Sequence, residues 1–190
     1  MSATASERGR EVRRRLTRAA RELVPERGWA AVSTRTVAER AGVAPGLVHY
    51  HFPSLQALLA EAAIGALREA LGATADLLER ARTPDELVEL LVAEVDRYTG
   101  ADPASLLAVE THLAATRDPA LRGELAGLLE DFRGRIAAWL AEHGVGEPEA
   151  TAAVLAAALD GVLLHRALEP QPTGAVTPVL RRIVAQHGGR

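Results

Sequence analysis

Cysteine is absent from the 190-residue chain, which excludes a disulfide framework, thiolate metal sites and a cysteine nucleophile, and fits a reducing compartment. Lysine is absent too, so all 22 basic residues are arginine. Aromatic residues make up 3%, which leaves few stacking surfaces for a planar ligand. No apolar run reaches the ~18 residues of a membrane-spanning helix, and the polar, Arg-rich start lacks the apolar core of a signal peptide. A soluble cytoplasmic protein with no membrane partner is therefore expected. A glycine-rich phosphate loop, a His-Glu-x-x-His zinc pair and a Gly-x-Ser-x-Gly elbow are all missing. No catalytic residue, metal or cofactor is expected, and an all-helical enzyme assembled from scattered residues is the alternative.

What is present suffices for a core: 48% of residues are apolar and 25% charged. The charge is unevenly placed. Residues 1–53 carry ten Arg and five Glu, a formal +5, whereas the remainder carries −8. A basic head on an acidic body suits a head that meets a polyanion. A solvated, Arg-rich first helix would produce the same count.

The pattern is helical nearly throughout. Val12, Leu16, Ala19, Ala20, Leu23 and Val24 recur at spacings of three and four from Ser6 onwards, and Pro25 with Gly28 should end that helix. Ser33 can cap a short helix over Thr34–Ala41, with Gly42 just beyond it. A third can run from Pro45 to about His51. Ser54 caps a long fourth, whose face runs from Leu55 through Leu67 and Thr74 to Leu78. Thr83-Pro84-Asp85-Glu86 reads as a capping box. Asp102-Pro103 and Asp118-Pro119 repeat the cap-then-proline signal. Pro148 opens a helix to about Leu168; Pro170, Pro172 and Gly174 form a loop. The last helix shows Val176, Val179, Leu180, Ile183, Val184 and His187 on one face. The total is about nine helices, three short ones packed as a head and then a bundle, with no convincing strand alternation.

The informative stretch is Ser33 to Phe52, two short helices joined by a tight turn. Val37, Ala38 and Ala41 can pack the first on the core. Val43 fills the turn, and Val48 and Phe52, at i and i+4, anchor the second inward. Leu47, His49, Tyr50 and His51 are left for the outer surface and its edges. A B-DNA major groove, ~12 Å wide, admits one such helix. The competing assignments are partial packing of Tyr50 on the first helix and ordinary solvent-facing roles for His49 and His51. The i, i+2 spacing of the two histidines puts them on different helix faces, which argues against a metal pair.

The order of residues resembles the TetR (tetracycline-repressor) family of bacterial regulators. Members typically read Thr-Arg-x-Ile-Ala-x-x-Ala-Gly-Val-Ser, then x-Gly-x-Leu-Tyr-x-His-Phe, then x-Ser-Lys. Here the run is Thr34-Arg35-Thr36-Val37-Ala38-Glu39-Arg40-Ala41-Gly42-Val43-Ala44, then Pro45-Gly46-Leu47-Val48-His49-Tyr50-His51-Phe52, then Pro53-Ser54-Leu55. Gly28-Trp29 also sits where the family has glycine and an aromatic. The likeness covers roughly residues 8–60. It implies a helix-turn-helix head over 1–53 on a ligand-binding and dimerisation body over 54–190. It also implies a sequence-specific repressor of transcription, relieved by a small-molecule effector. A ligand-independent regulator or an activator with the same head is the alternative. Thr34 and Arg35 would approach backbone or base edges. Ala44, Pro45, Gly46 and Leu47 would enter the groove, Leu47 being suited to a thymine methyl. His49, Tyr50 and His51 would contact phosphate or bases, and Arg8, Arg10, Arg13 and Arg14 would track the backbone or an adjacent minor groove. Three departures bear on operator preference: Leu55 replaces the family's phosphate-contacting Lys, Ala44 the turn Ser, and His49 the common Tyr.

In the body, the segment Ala150 to Leu159 has Thr151 as its sole polar residue. A helix apolar all round must be covered all round, by the rest of the monomer or by a second copy. The resemblance favours a homodimer through the last two helices, reading a pseudo-palindromic site in double-stranded DNA. It also implies an effector cavity. Candidate lining residues are Tyr98, Leu106, Glu110, His112, Leu113, Phe132, Trp139, Asp160 and His165, in a mostly aliphatic pocket with one or two polar anchors. Phe132 and Trp139 equally suit core packing. Asp160, within an apolar helix, needs a hydrogen-bond partner or water.

Overall fold

The computed structural model describes residues 5–169 and 173–185. Among them every element is helical. The helices are α1 (Ala5–Arg27), α2 (Thr34–Ala41), α3 (Gly46–His51), α4 (Leu55–Gly72), α5 (Thr74–Arg80), α6 (Pro84–Val95), α7 (Pro103–Ala115), α8 (Pro119–Glu142), α9 (Pro148–Arg166) and α10 (Thr177–Ala185). Short 3-10 turns occupy Trp29–Ala31 and Thr173–Ala175. The fold class is all-α, as expected. Pro170, Pro172 and His187 lie outside the described residues.

One expected boundary is refined and one moves. Pro25 lies within the last turn of α1, which closes at Arg27, just before Gly28. A proline in the last turn removes one N–H, and the turn still closes because Gly28 N–H donates to the Val24 carbonyl at 2.9 Å. The fourth helix is interrupted at Ala73, giving α4 and α5. Gly72 weakens the helix there. Apolar periodicity does not register the break, because Leu58, Leu59 and Ala62 before it and Leu77 after it are all buried.

The chain forms two compact units. The first runs from the start of the described chain to Arg68 and includes Leu106–Gly123; the second comprises Glu69–Ser105 and the chain from Glu124 onwards. A cut at 53/54 separates expected functions along the chain, whereas the compact units follow packing. In the first unit, Leu16, Leu23 and Val24 of α1 share a core with Val37 and Ala38 of α2, Val48 of α3, Phe52, and Leu58 and Leu59 of α4. Leu107 of α7 joins them. Each fully buried leucine contributes about 1.5–3 kcal/mol. In the second unit, Leu87 and Val88 of α6, Phe132, Ile136 and Leu140 of α8, Leu155 and Leu159 of α9, and Leu180 and Val184 of α10 form a separate core.

Loop carbonyls in the second unit are held by specific donors. Arg166 Nη1 donates to the Val95 and Tyr98 carbonyls at 3.1 and 2.8 Å, and Nη2 to Asp96 Oδ1 at 2.5 Å. Asp102 caps α7: its Oδ1 accepts from Ser105 N–H at 3.0 Å and its Oδ2 from Thr99 N–H and Ser105 Oγ at 2.8 and 2.7 Å. Burial pushes the Asp102 carboxyl up, but the Ser105 and Thr99 donors together outweigh it and hold the group below the usual range. Among the described residues, no helix is long and apolar enough to cross a membrane.

Candidate nucleic-acid interface

α2 begins at a reciprocal cap. Ser33 Oγ accepts from Thr36 N–H at 3.2 Å, and Ser33 N–H donates to Thr36 Oγ1 at 3.0 Å. It ends at Gly42, whose φ of 63° is the left-handed conformation that closes a helix. Val43 N–H then reaches back to the Ala38 carbonyl at 3.0 Å. Arg15 of α1 covers the same helix end, its Nη2 donating to the Ala41 carbonyl and, at 2.9 Å, to that of Gly42. These donors satisfy carbonyls a helix terminus leaves open.

Pro45 stands at the cap of α3, and Gly46 opens the helix. Val48 and Phe52 are buried beneath it. The opposite side is bare: Ala44, Pro45, Gly46, His49 and Tyr50 are exposed, and Leu47 and His51 half-buried. Tyr50 is 80% exposed. Its ring meets the His51 imidazole edge to face, with centroids 5.0 Å apart. Of the two assignments for Tyr50, exposure rather than packing on α1 is what the structure shows. The outward residues therefore form one short apolar-and-imidazole ridge.

The arginines of α1 and α2 differ in what holds them. Arg14 pairs with Glu11, Arg18 with Glu22 and Arg35 with Glu39, all within one helix turn, and these arginines stay at least 75% exposed. Such pairs exchange partners at little cost. Arg40 binds Glu26 at 2.6 Å and Glu22 at 3.3 Å, tying α2 to α1. The Arg40 hydrogen bond is the main reason the Glu26 carboxyl lies below the usual range. Arg10 Nη1 donates to Ser6 Oγ at 3.1 Å, and Arg8 is exposed. Arg13 is bound within the unit, to the His51 carbonyl and to Glu61. Thr34 is half-buried at the start of α2.

The candidate effector residues fall in both units. Leu106, Glu110, His112 and Leu113 belong to the first, and Tyr98, Phe132, Trp139, Asp160 and His165 to the second. Glu110 Oε2 accepts from Trp29 N–H at 2.7 Å, and Trp29 Nε1 donates to Gln56 Oε1 at 2.8 Å. The carboxylate thus caps the turn after α1. His112 and Leu113 face outward. Phe132 is buried in the second core, and Trp139 stacks on His143 with centroids 3.5 Å apart. Tyr98 is half-buried, and Asp160 and His165 are exposed. Among the described residues, no three acidic, histidine or cysteine side chains are placed to hold a metal ion.

The roles of Arg13, Arg15, Glu61 and Gln56 were not readable in the sequence. Their contacts span 26 to 48 residues, and no local pattern encodes them.

Residues 16–62 match the family described as bacterial regulatory proteins, tetR family, and residues 82–186 match the tetracyclin repressor-like C-terminal domain. The chain is 29% identical over 168 residues to the HTH-type transcriptional regulator BetI of Rhizobium meliloti (strain 1021), covering 84% of this chain and 80% of that one. It resembles the crystal structure of a transcriptional regulator of Streptomyces coelicolor A3(2), with a TM-score of 0.75, 32% identity, and coverage of 92% and 98% of the two chains. The multidrug binding protein EbrR, complexed with imidazole, matches with a TM-score of 0.62 and 31% identity over 92% of this chain and 93% of that one.

Proposed function

This chain belongs to the tetR family of bacterial regulatory proteins, DNA-binding regulators of transcription, and on that premise we propose that it is a repressor released from its operator by a small organic effector. The observation that carries the DNA half is the exposed ridge of α3 above its buried Val48–Phe52 anchor. A helix held from below and bare above fits the width of a major groove. Leu47, His49 and Tyr50 are the proposed base-facing residues, with Pro45 and Gly46 at the leading end. Arg14 and Arg35, highly exposed and paired within their own helices, are the proposed phosphate contacts, beside Arg8, Arg10 and Thr34.

The proposed operator is pseudo-palindromic, because the reading unit is a homodimer. Support comes from α9 and α10. Val154 and Leu164 of α9 are 48% and 52% exposed, and Val179 of α10 is 45% exposed. Apolar faces on two helices of one subunit suit a four-helix interface with a second copy. The effector reading draws on EbrR, a similar chain that binds imidazole. The body over residues 54–190 is its proposed seat, and the cytoplasm the proposed compartment. An effector acts by preferring the dimer conformation whose head spacing does not match successive half-sites.

The test is selection of duplexes from a random pool at two salt concentrations. The expected result is an enriched inverted repeat whose binding weakens steeply with salt. No enrichment over random competitor would overturn the proposal.

A further inference from the structure

α3 has six residues, too few to hold a helix by propensity alone, so its direction is set by what grips it. Val48 and Phe52 grip it from below. Its C-terminal carbonyl end is gripped by one side chain from another helix. Arg13 of α1 donates from Nη1 to the His51 carbonyl at 2.7 Å. The same guanidinium faces Glu61 of α4, with Nε on Oε1 at 3.2 Å and Nη2 on Oε2. Its carbon lies 4.2 Å from the centre of the Phe52 ring. One planar group is thus fixed by a forked carboxylate, an aromatic face and a helix-end carbonyl.

We propose that Arg13 is a positioning residue for the recognition helix, a strut between α3 and Glu61 of α4, and that it does not bind phosphate. Its distinction from its neighbours is geometric. Arg14, Arg18 and Arg35 have acidic partners three or four residues away and lie at least 75% exposed, whereas Arg13 is 44% exposed and its carboxylate lies 48 residues away. Its donors are turned onto the His51 carbonyl at the end of α3 and the Glu61 carboxylate of α4. Glu61 thereby becomes part of operator recognition although it lies on α4. Movement of α4 at that point changes what holds the His51 carbonyl. The inference rests on α3 being the element that reads DNA.

The experiment uses the full chain and the duplex that the parent selects from a random pool. R13Q, E61Q and the double variant are titrated against that duplex and a scrambled one over a range of salt, with thermal melts alongside. The expected result is a loss of about tenfold on the selected duplex for R13Q. E61Q should change in the same direction, the double variant should be no worse than R13Q, and both the scrambled-duplex affinity and the salt slope should stay at the parent's values. If R13Q weakens both duplexes alike and lowers the salt slope by about one, Arg13 is a phosphate contact and the proposal fails. It fails equally if E61Q leaves binding unchanged or tightens it by freeing the guanidinium. Should R13Q melt below the assay temperature, E61Q, a half-exposed surface change, decides alone. A parent that selects no duplex overturns the operator reading itself, and this inference with it.

Discussion

Tyr50 and Asp102 show how differently single residues act here. Tyr50 contributes little to the fold, since most of its surface is already in water. Tyr50→Ala should therefore leave the thermal midpoint near the parent's while weakening the selected duplex by roughly 1–3 kcal/mol, read by fluorescence anisotropy. An unchanged Kd would overturn the proposed reading face of α3. Asp102 is the opposite case. Its carboxyl, after opposing burial and donor effects, sits below the usual range in the folded chain. A depressed folded value stabilises above the unfolded pKa, and that stabilisation disappears as the pH falls through the folded one. Asp102→Asn should be less stable at neutral pH, and its melting temperature should vary less than the parent's below about pH 4. Melts from acid to neutral pH check both parts. Parallel curves for the two proteins would show that the carboxylate charge is immaterial.

At the scale of elements, legibility followed sequence separation. The limits of α2 were readable from Ser33 and Gly42, because a cap and a left-handed glycine act within four residues. The inward pair Val48 and Phe52 was readable for the same reason. The division of α4 from α5 at Ala73 was not, since both pieces keep buried leucines. The close of α1 is legible in Gly28, whereas Pro25 in the final turn costs one hydrogen bond without stopping the helix. Contacts that set one helix against another were invisible: Arg15 on the end of α2, Arg13 on the end of α3, Glu110 on the Trp29 amide. Such contacts also predict where elements tolerate nothing. The end of α9 rests on Gly100, whose φ is +79°; a Cβ there would lie 2.5 Å from Ala167 N and 2.7 Å from the Leu163 oxygen, both backbone atoms. Gly100→Ala should cost about 2–4 kcal/mol, from left-handed strain plus displacement of the helix end, measured by urea unfolding. A loss below about 0.5 kcal/mol would mean that the α9 end is not held there.

For the whole molecule, charge distinguishes residues 1–53 from the remainder in the sequence, whereas the compact units are not legible there, because Leu106–Gly123 joins the first through packing alone. The proposed homodimer provides the corresponding prediction. Leu164 is 52% exposed on a helix whose other side is core. Leu164→Glu should weaken self-association by at least about 2 kcal/mol while preserving helicity, and operator binding should fall with it. Sedimentation at several concentrations measures the first effect; an unshifted association constant would put the contact between copies elsewhere. Each compact unit also contains one of the two tryptophans: Trp29, hydrogen-bonded to Gln56 in the first, and Trp139, lying on the His143 imidazole in the second. The chain consequently carries a separate optical reporter in each unit. Replacing one indole by phenylalanine leaves emission that follows the other unit alone, so denaturation of the two can be timed independently without attaching a dye.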